Sequence, residues 1–157
     1  MTTKACCEAT GPDEFAGRQA LQAHSREFGK QLIEVVDGMV VAVGYSASNV
    51  TLIPRRSGSI IVDTSANPVD AAAIVAAFGA RMARPVHAIL YTHNHPDHSG
   101  GTRVFAGDDD PQIWSHQLLV AARPELARGV RDGGDQFGVS LPDDQFINAG
   151  IQRQYGR

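Results

Sequence analysis

Three imidazoles and a carboxylate fall within six consecutive positions, His93, His95, Asp97 and His98, in the run Tyr91-Thr92-His93-Asn94-His95-Pro96-Asp97-His98-Ser99-Gly100-Gly101. Imidazole and carboxylate together suit zinc or a similar first-row divalent ion, whereas calcium and magnesium prefer all-oxygen sites and thiolate sites need cysteines. A solvated surface requires no such ordering, and a dry interior would heavily penalise an unpaired aspartate. The chemistry implied is metal-assisted hydrolysis, in which an ion held by neutral imidazoles lowers the pKa of its water to about 7.

The elements around the run must position these donors. Val86-His87-Ala88-Ile89-Leu90-Tyr91 is rich in aliphatic and aromatic residues and reads as a buried strand that ends where the histidines begin. In a segment that is still extended, side chains two apart share a side, so His93 and His95 converge while Asn94 faces away. Pro96 stiffens the chain as it turns. The turn carries Asp97 and His98 round to a neighbouring position, an arrangement in which one loop can serve two ions. Four donors do not close two sites, so further ligands must come from elsewhere. Asp97 is also the candidate catalytic residue, placed to orient the nucleophile or take its proton.

The other histidines carry less. His24 and His87 read as surface or hydrogen-bonded residues. His116 follows the strand-like Gln112-Ile113-Trp114-Ser115 and is expected to cap the next helix or to support a metal ligand. Asp63 ends a strand-like run, where it either caps the strand or steadies the metal loop through hydrogen bonds.

The first half of the chain reads as antiparallel sheet. Gln31–Val36 and Met39–Val43 flank Asp37-Gly38, a pair suited to the tight primed hairpin turn. Asn49–Pro54 and Ser59–Asp63 repeat the arrangement around Arg55-Arg56-Ser57-Gly58. Asn67 before Pro68 supplies a helix start, followed by Ala71–Phe78 with Ile74, Val75 and Phe78 on one face. A helix is expected over Gly100–Phe105, its positive end toward the histidines. Gly107-Asp108-Asp109-Asp110-Pro111 reads as a solvated turn, since it lacks the alternating spacing and distal glutamate of a calcium loop. Further helices are expected over Leu118–Leu126, interrupted by Pro124, and over Asp143–Tyr155.

Composition narrows the function classes. The 157 residues are 43% hydrophobic and 20% charged, the composition of a single globular domain. Fourteen basic against seventeen acidic residues give a net charge of −3, which argues against a nucleic-acid partner and for a small-molecule substrate. Cys6 and Cys7 are adjacent and far from the histidines, so they suggest neither a disulfide framework nor a zinc knuckle. The start lacks the pattern of a secretory signal, and no apolar run approaches about 20 residues, so no membrane span is expected and a cytoplasmic location is the default.

The HxHxDH pattern of His93, His95, Asp97 and His98, followed by Gly100-Gly101, resembles the signature of the metallo-β-lactamase superfamily. Ser48–Ile53, Gly58–Thr64, Arg84-Pro85-Val86 and the closing Asn148–Gly156 are similar to the alkylsulfatase branch. The likeness runs over residues 28–157, with 1–27 expected as a tail, partly disordered or helical.

The resemblance implies an α+β fold, the αββα sandwich of two mixed sheets, with only its N-terminal half expected here. It also implies a centre of two zinc ions, the first on His93 and His95 and the second on Asp97 and His98. The implied reaction is hydrolysis of an anionic alkyl sulfate ester to alcohol and sulfate. Lactamase, thioesterase, glyoxalase and lactonase relatives share the histidine pattern, so another hydrolase of the fold is an alternative, as is a non-catalytic metal-binding remnant. The acids after His116, Glu125, Asp132, Asp135, Asp143 and Asp144, form no recognisable ligand motif. A domain expected to be incomplete at its C-terminus would expose a sheet face, which predicts a homo-oligomer or a complementing chain, and inactivity of the chain alone.

Overall fold

The computed structural model describes residues 17–119. Cys6 and Cys7, the helix expected over 143–155, all but the first two residues of that over 118–126, and the acids beyond His116 lie outside the described residues.

Among the described residues, six strands form one mixed sheet in the order of the chain. β1 (Gln31–Val36), β2 (Met39–Val43), β3 (Val50–Arg55) and β4 (Gly58–Val62) run antiparallel. β5 (Val86–Leu90) and β6 (Gln112–Trp114) then add in parallel. A parallel neighbour requires a crossover. Between β4 and β5 it is α2 (Pro68–Phe78), and between β5 and β6 it is the histidine run and the short α3 (Thr102–Ala106). A further helix, α1 (Arg18–Ser25), precedes the sheet.

The strands form where β-branched and aliphatic residues alternate, and register decides which face they bury. Val40, Leu52, Ile61 and Ile89 are aligned across β2 to β5, and each is buried. They pack with Ala71, Ile74 and Phe78 of α2 and Phe105 of α3 in the core. Full burial of side chains such as Ile74 and Phe78 contributes about 1.5–3 kcal/mol each. The opposite face carries the row Ile33, Val41, Thr51, Val62, Leu90 and Trp114, which is only half-buried, with Ile33 and Trp114 exposed.

Asn67 caps α2 as its type suggests, its side-chain oxygen accepting from the Val69 and Asp70 amides at 2.9 Å each. Such a cap contributes about 1 kcal/mol. The expected primed turn does not form. Of Asp37 and Gly38 only the glycine has positive φ, at 75°, whereas the type I′ turn needs both residues there and II′ needs the first. The ladder is instead irregular between Glu34 and Val36, a bulge that restores the twist an unprimed turn would spoil. Glu34 also closes the turn, accepting from the Gly38 amide at 2.8 Å.

The helix expected from Gly100 is shorter. A 3-10 turn covers Pro96–His98 and α3 starts only at Thr102. The Gly100 amide bonds the carbonyls of Ser65 and Pro96 instead, so five residues of helix present little dipole to the histidines. The aspartate turn is also more than solvated. Asp109 folds back to accept from the Val86 amide and from Arg84, each at 2.7 Å, while Arg84 donates to the carbonyls of Phe105 and Ala106.

Candidate functional site

The histidine run leaves the C-terminal end of β5, beside the ends of the parallel strands β4 and β6, which is where open sheets of parallel strands present their loops to ligands. The ladder continues past the strands: the Asp63 amide donates to Leu90 at 2.8 Å and the Tyr91 amide to Trp114 at 2.9 Å.

Asp63 is the anchor of this end. It is 5% exposed and has φ of 59°, a left-handed conformation that Asp tolerates better than most residues. Its Oδ1 accepts from the Thr92 amide at 2.9 Å and its Oδ2 from the Thr92 hydroxyl at 2.8 Å. The same Oδ2 lies 2.8 Å from His98 Nδ1. A single buried carboxylate thus fixes both the start and the end of the run. Between the two readings open for Asp63, strand-end cap and support of the histidine loop, these contacts favour the second.

The loop is held from below by backbone contacts. The Thr64 amide and hydroxyl both donate to the His98 carbonyl, at 2.9 and 3.1 Å. The Ser48 hydroxyl donates to the Asp97 carbonyl. Thr102 donates to the Ser99 carbonyl at 2.8 Å and also meets Thr64 and the Tyr91 hydroxyl. Gly100 and Gly101 are needed for this approach. A Cβ on Gly100 would stand 2.1 Å from the Ala66 carbonyl oxygen, and one on Gly101 2.1 Å from that of Thr64. The Gly-Gly pair is therefore a packing device under the loop. Neither contact was signalled by local sequence, because Thr64 and Ser48 are distant along the chain.

The structure brings the three imidazoles together. The ring centroids of His93 and His95 are 4.5 Å apart and those of His93 and His98 4.0 Å. Asp97 Oδ2 lies 3.4 Å from His98 Nε2. The pKa of His93 is lowered, first because neighbouring groups strip water from it and then because His98 and His95 repel its charge, against the opposing pull of Asp63 and Asp97. The neutral, ligand-competent form is favoured as a result. By type and by the nitrogens left free these donors fit a zinc ion. Among the described residues, though, no group of three or more His, Cys, Asp or Glu side chains is set to hold an ion by itself.

The remaining histidines stand apart. His116 Nδ1 accepts from the Leu118 amide at 3.2 Å, a capping contact. His24 lies edge-on to Phe28. His87 Nε2 meets the Ser57 carbonyl near the opposite ends of the strands.

Residues 43–151 match the family model of the metallo-beta-lactamase superfamily. The chain belongs to that superfamily. Among curated proteins it is 31% identical over 114 residues to a linear primary-alkylsulfatase of Pseudomonas sp. (strain ATCC 19151), a stretch covering 64% of this chain and 21% of that protein. It is 33% identical over 123 residues to the 2,4-dinitroanisole O-demethylase subunit alpha of Nocardioides sp. (strain JS1661), covering 72% of this chain and 36% of that one. The chain thus aligns with well under half the length of either relative. A solved stereoselective inverting sec-alkylsulfatase from Pseudomonas sp. superposes with a TM-score of 0.61 at 23% identity, over 80% of this chain and 22% of that one. That likeness establishes the shared fold, an α+β arrangement of mixed sheet and helices. No helix among the described residues is long and apolar enough to cross a membrane.

Proposed function

We propose that the chain carries part of a zinc-dependent hydrolase site that acts on alkyl sulfate esters. In this reading His93 and His95 serve one ion and Asp97 and His98 a second, with the remaining coordination completed by donors outside this set. One observation carries the reading: three imidazoles lie ring to ring beside two carboxylates, at the strand ends where the superfamily's motif falls.

The electrostatics support it. Asp63 Oδ2 accepts a hydrogen bond from His98 Nδ1, and with the ring proton on that nitrogen it is Nε2 that carries the lone pair. That lone pair faces the Asp97 carboxylate at 3.4 Å. Two acceptors in contact repel, and a cation between or beside them removes the repulsion. Zinc, when bound, supplies an acidified water and positive charge for the ester oxygens. This chain's own contribution is to favour the neutral form of His93, to fix the direction of the His93 and His98 rings through their Nδ1 contacts, and to place the Asp97 carboxylate where it can orient the attacking water and accept its proton. The names of the alkylsulfatase relatives support a sulfate ester as substrate. The demethylase relative favours a second reading, cleavage of an aryl methyl ether at the same site.

The test is to load the purified chain with zinc, count bound ions, and assay a medium-chain alkyl sulfate, 2,4-dinitroanisole, a thioester and a lactone. Zinc-dependent sulfate release that disappears in His95→Ala supports the proposal. Turnover of another substrate in preference overturns the substrate assignment. Tight zinc with no turnover of any of the four fits an incomplete site as well as a non-catalytic metal-binding module, which turnover by a longer version spanning the relatives' full length separates, and failure to take up zinc overturns the metal reading itself.

A further inference from the structure

The buried carboxylate touches His98 directly but reaches His93 only through Thr92. The Thr92 hydroxyl lies 2.8 Å from Asp63 Oδ2 and 3.0 Å from His93 Nδ1. A hydroxyl has one proton, and the ionised carboxylate can only accept, so that proton goes to Asp63. The contact with His93 then requires the ring to donate, which places its proton on Nδ1. The third approach, His98 Nδ1 to the Thr92 oxygen at 3.4 Å, is longer than that nitrogen's 2.8 Å contact with Asp63, so the His98 proton belongs to the carboxylate. The accounting closes with Asp63 Oδ1 occupied by the Thr92 amide.

We infer that Thr92 is a positioning residue that relays Asp63 to His93, fixing the Nδ1–H tautomer of that imidazole and so presenting its Nε2 lone pair to the metal. One carboxylate then sets the tautomer of two imidazoles, His98 by contact and His93 through the hydroxyl. Which ring nitrogen of a histidine binds metal is governed by the hydrogen bond made by the other. His93 is exposed and its Nδ1 is partnered by the Thr92 hydroxyl, so losing that hydroxyl opens both tautomers to the ring. The inference rests on the zinc reading for its consequence but not for its core, because the tautomer exists without the ion.

The two parts are tested separately. In the metal-free chain at about pH 8, above the ordinary histidine range, long-range 1H–15N correlation reports the tautomer of each ring, with His93 assigned by comparison with His93→Gln. The expected result is Nδ1–H for His93 in the native chain, a shift toward Nε2–H in Thr92→Val, and restoration in Thr92→Ser. A competition titration should then show zinc affinity about 10–100-fold weaker in Thr92→Val and recovered in Thr92→Ser, with all three chains still melting cooperatively and Thr92→Val lowered only by the loss of its hydrogen bond to Asp63. Nε2–H in the native chain overturns the inference, and so does weaker zinc binding in Thr92→Val with an unaltered tautomer. If the native chain shows Nδ1–H and binds no zinc, the relay stands and the metal reading of the site falls.

Discussion

The two ends of the parallel strands carry the same residue types and differ in what those residues have left to give. At the N-terminal ends, Arg55, Pro85, Val86, His87, Asp109, Asp110 and Gln112 line an open cleft of about 490 Å³. There His87 is engaged by the Ser57 carbonyl, and Asp109 by Arg84 and the Val86 amide. At the C-terminal ends, hydrogen bonds hold the Nδ1 side of His93 and of His98, and the opposite nitrogen of His98 is turned to the Asp97 carboxylate at 3.4 Å. The proposed site thus rests on donors held in place by saturated neighbours and not on a cleft with titratable walls. The comparison can be broken by substitutions at either end.

The largest effect is expected from Gly101→Ala. Its Cβ would meet the Thr64 carbonyl oxygen at 2.1 Å and the Ala71 Cβ at 2.4 Å, both parts of the framework with no side chain able to swing away. The φ of −101° is ordinary, so the cost is steric and falls on the seam between the loop and α2. A loss of about 3 kcal/mol is expected, read as a fall in Tm of roughly 10 °C, together with loss of zinc uptake as the loop lifts. A variant that melts normally would show that the loop does not sit this closely on Thr64.

Asp63→Asn should come next, with a different signature. Asn tolerates the left-handed backbone of Asp63, and its oxygen can still accept from the Thr92 amide, but its NH2 would face the His98 Nδ1–H and the Thr92 hydroxyl. Stability should fall by about 2 kcal/mol in urea titration, and zinc affinity by about 10–100-fold. Near-native zinc affinity in this variant would mean that the carboxylate does not orient the imidazoles.

What the sequence disclosed follows the range of the interactions. Strand positions, the Asn67 cap and the clustering of His93, His95, Asp97 and His98 are written in neighbouring residues, through alternation, side-chain capping and spacing. The Asp63 anchor was half legible: a strand-end aspartate signals a cap or a support, and only the fold shows that it reaches Thr92 and His98. The role of Asp109 was hidden because its partners, Arg84 and Val86 at the start of β5, are more than 20 residues away along the chain. Hairpin geometry was misjudged from Asp37-Gly38 because the bulge near Val35 absorbs the twist that the turn type alone would have set.

Asp109 gives a pH test of the N-terminal end. Its pKa is lowered first by the Val86 amide, then by the hydrogen bond from Arg84. The unfolded chain binds the proton more readily, so the stabilisation is present above the ordinary carboxylate value of 3.8 and is lost as pH falls through the lower folded value. Asp109→Asn should flatten the acid limb of stability against pH and leave zinc uptake at neutral pH unchanged. An identical acid limb in the variant would show that this carboxylate is not held by the fold.

The smallest effect is expected from His87→Ala, which tests the contrast most directly. This imidazole is a strand residue at the wrong end of the sheet, its Nε2 set against the Ser57 carbonyl and 3.5 Å from the Ser57 hydroxyl. Removing it should change Tm by no more than about 2 °C, as for most substitutions away from the core, and should leave bound zinc per chain as it was. His93→Ala, made in parallel, should lower bound zinc while leaving the melt equally undisturbed. The pair of variants thus separates a histidine saturated by the fold from one that the fold leaves unsaturated, and equal zinc loss in both would erase the distinction between the two ends.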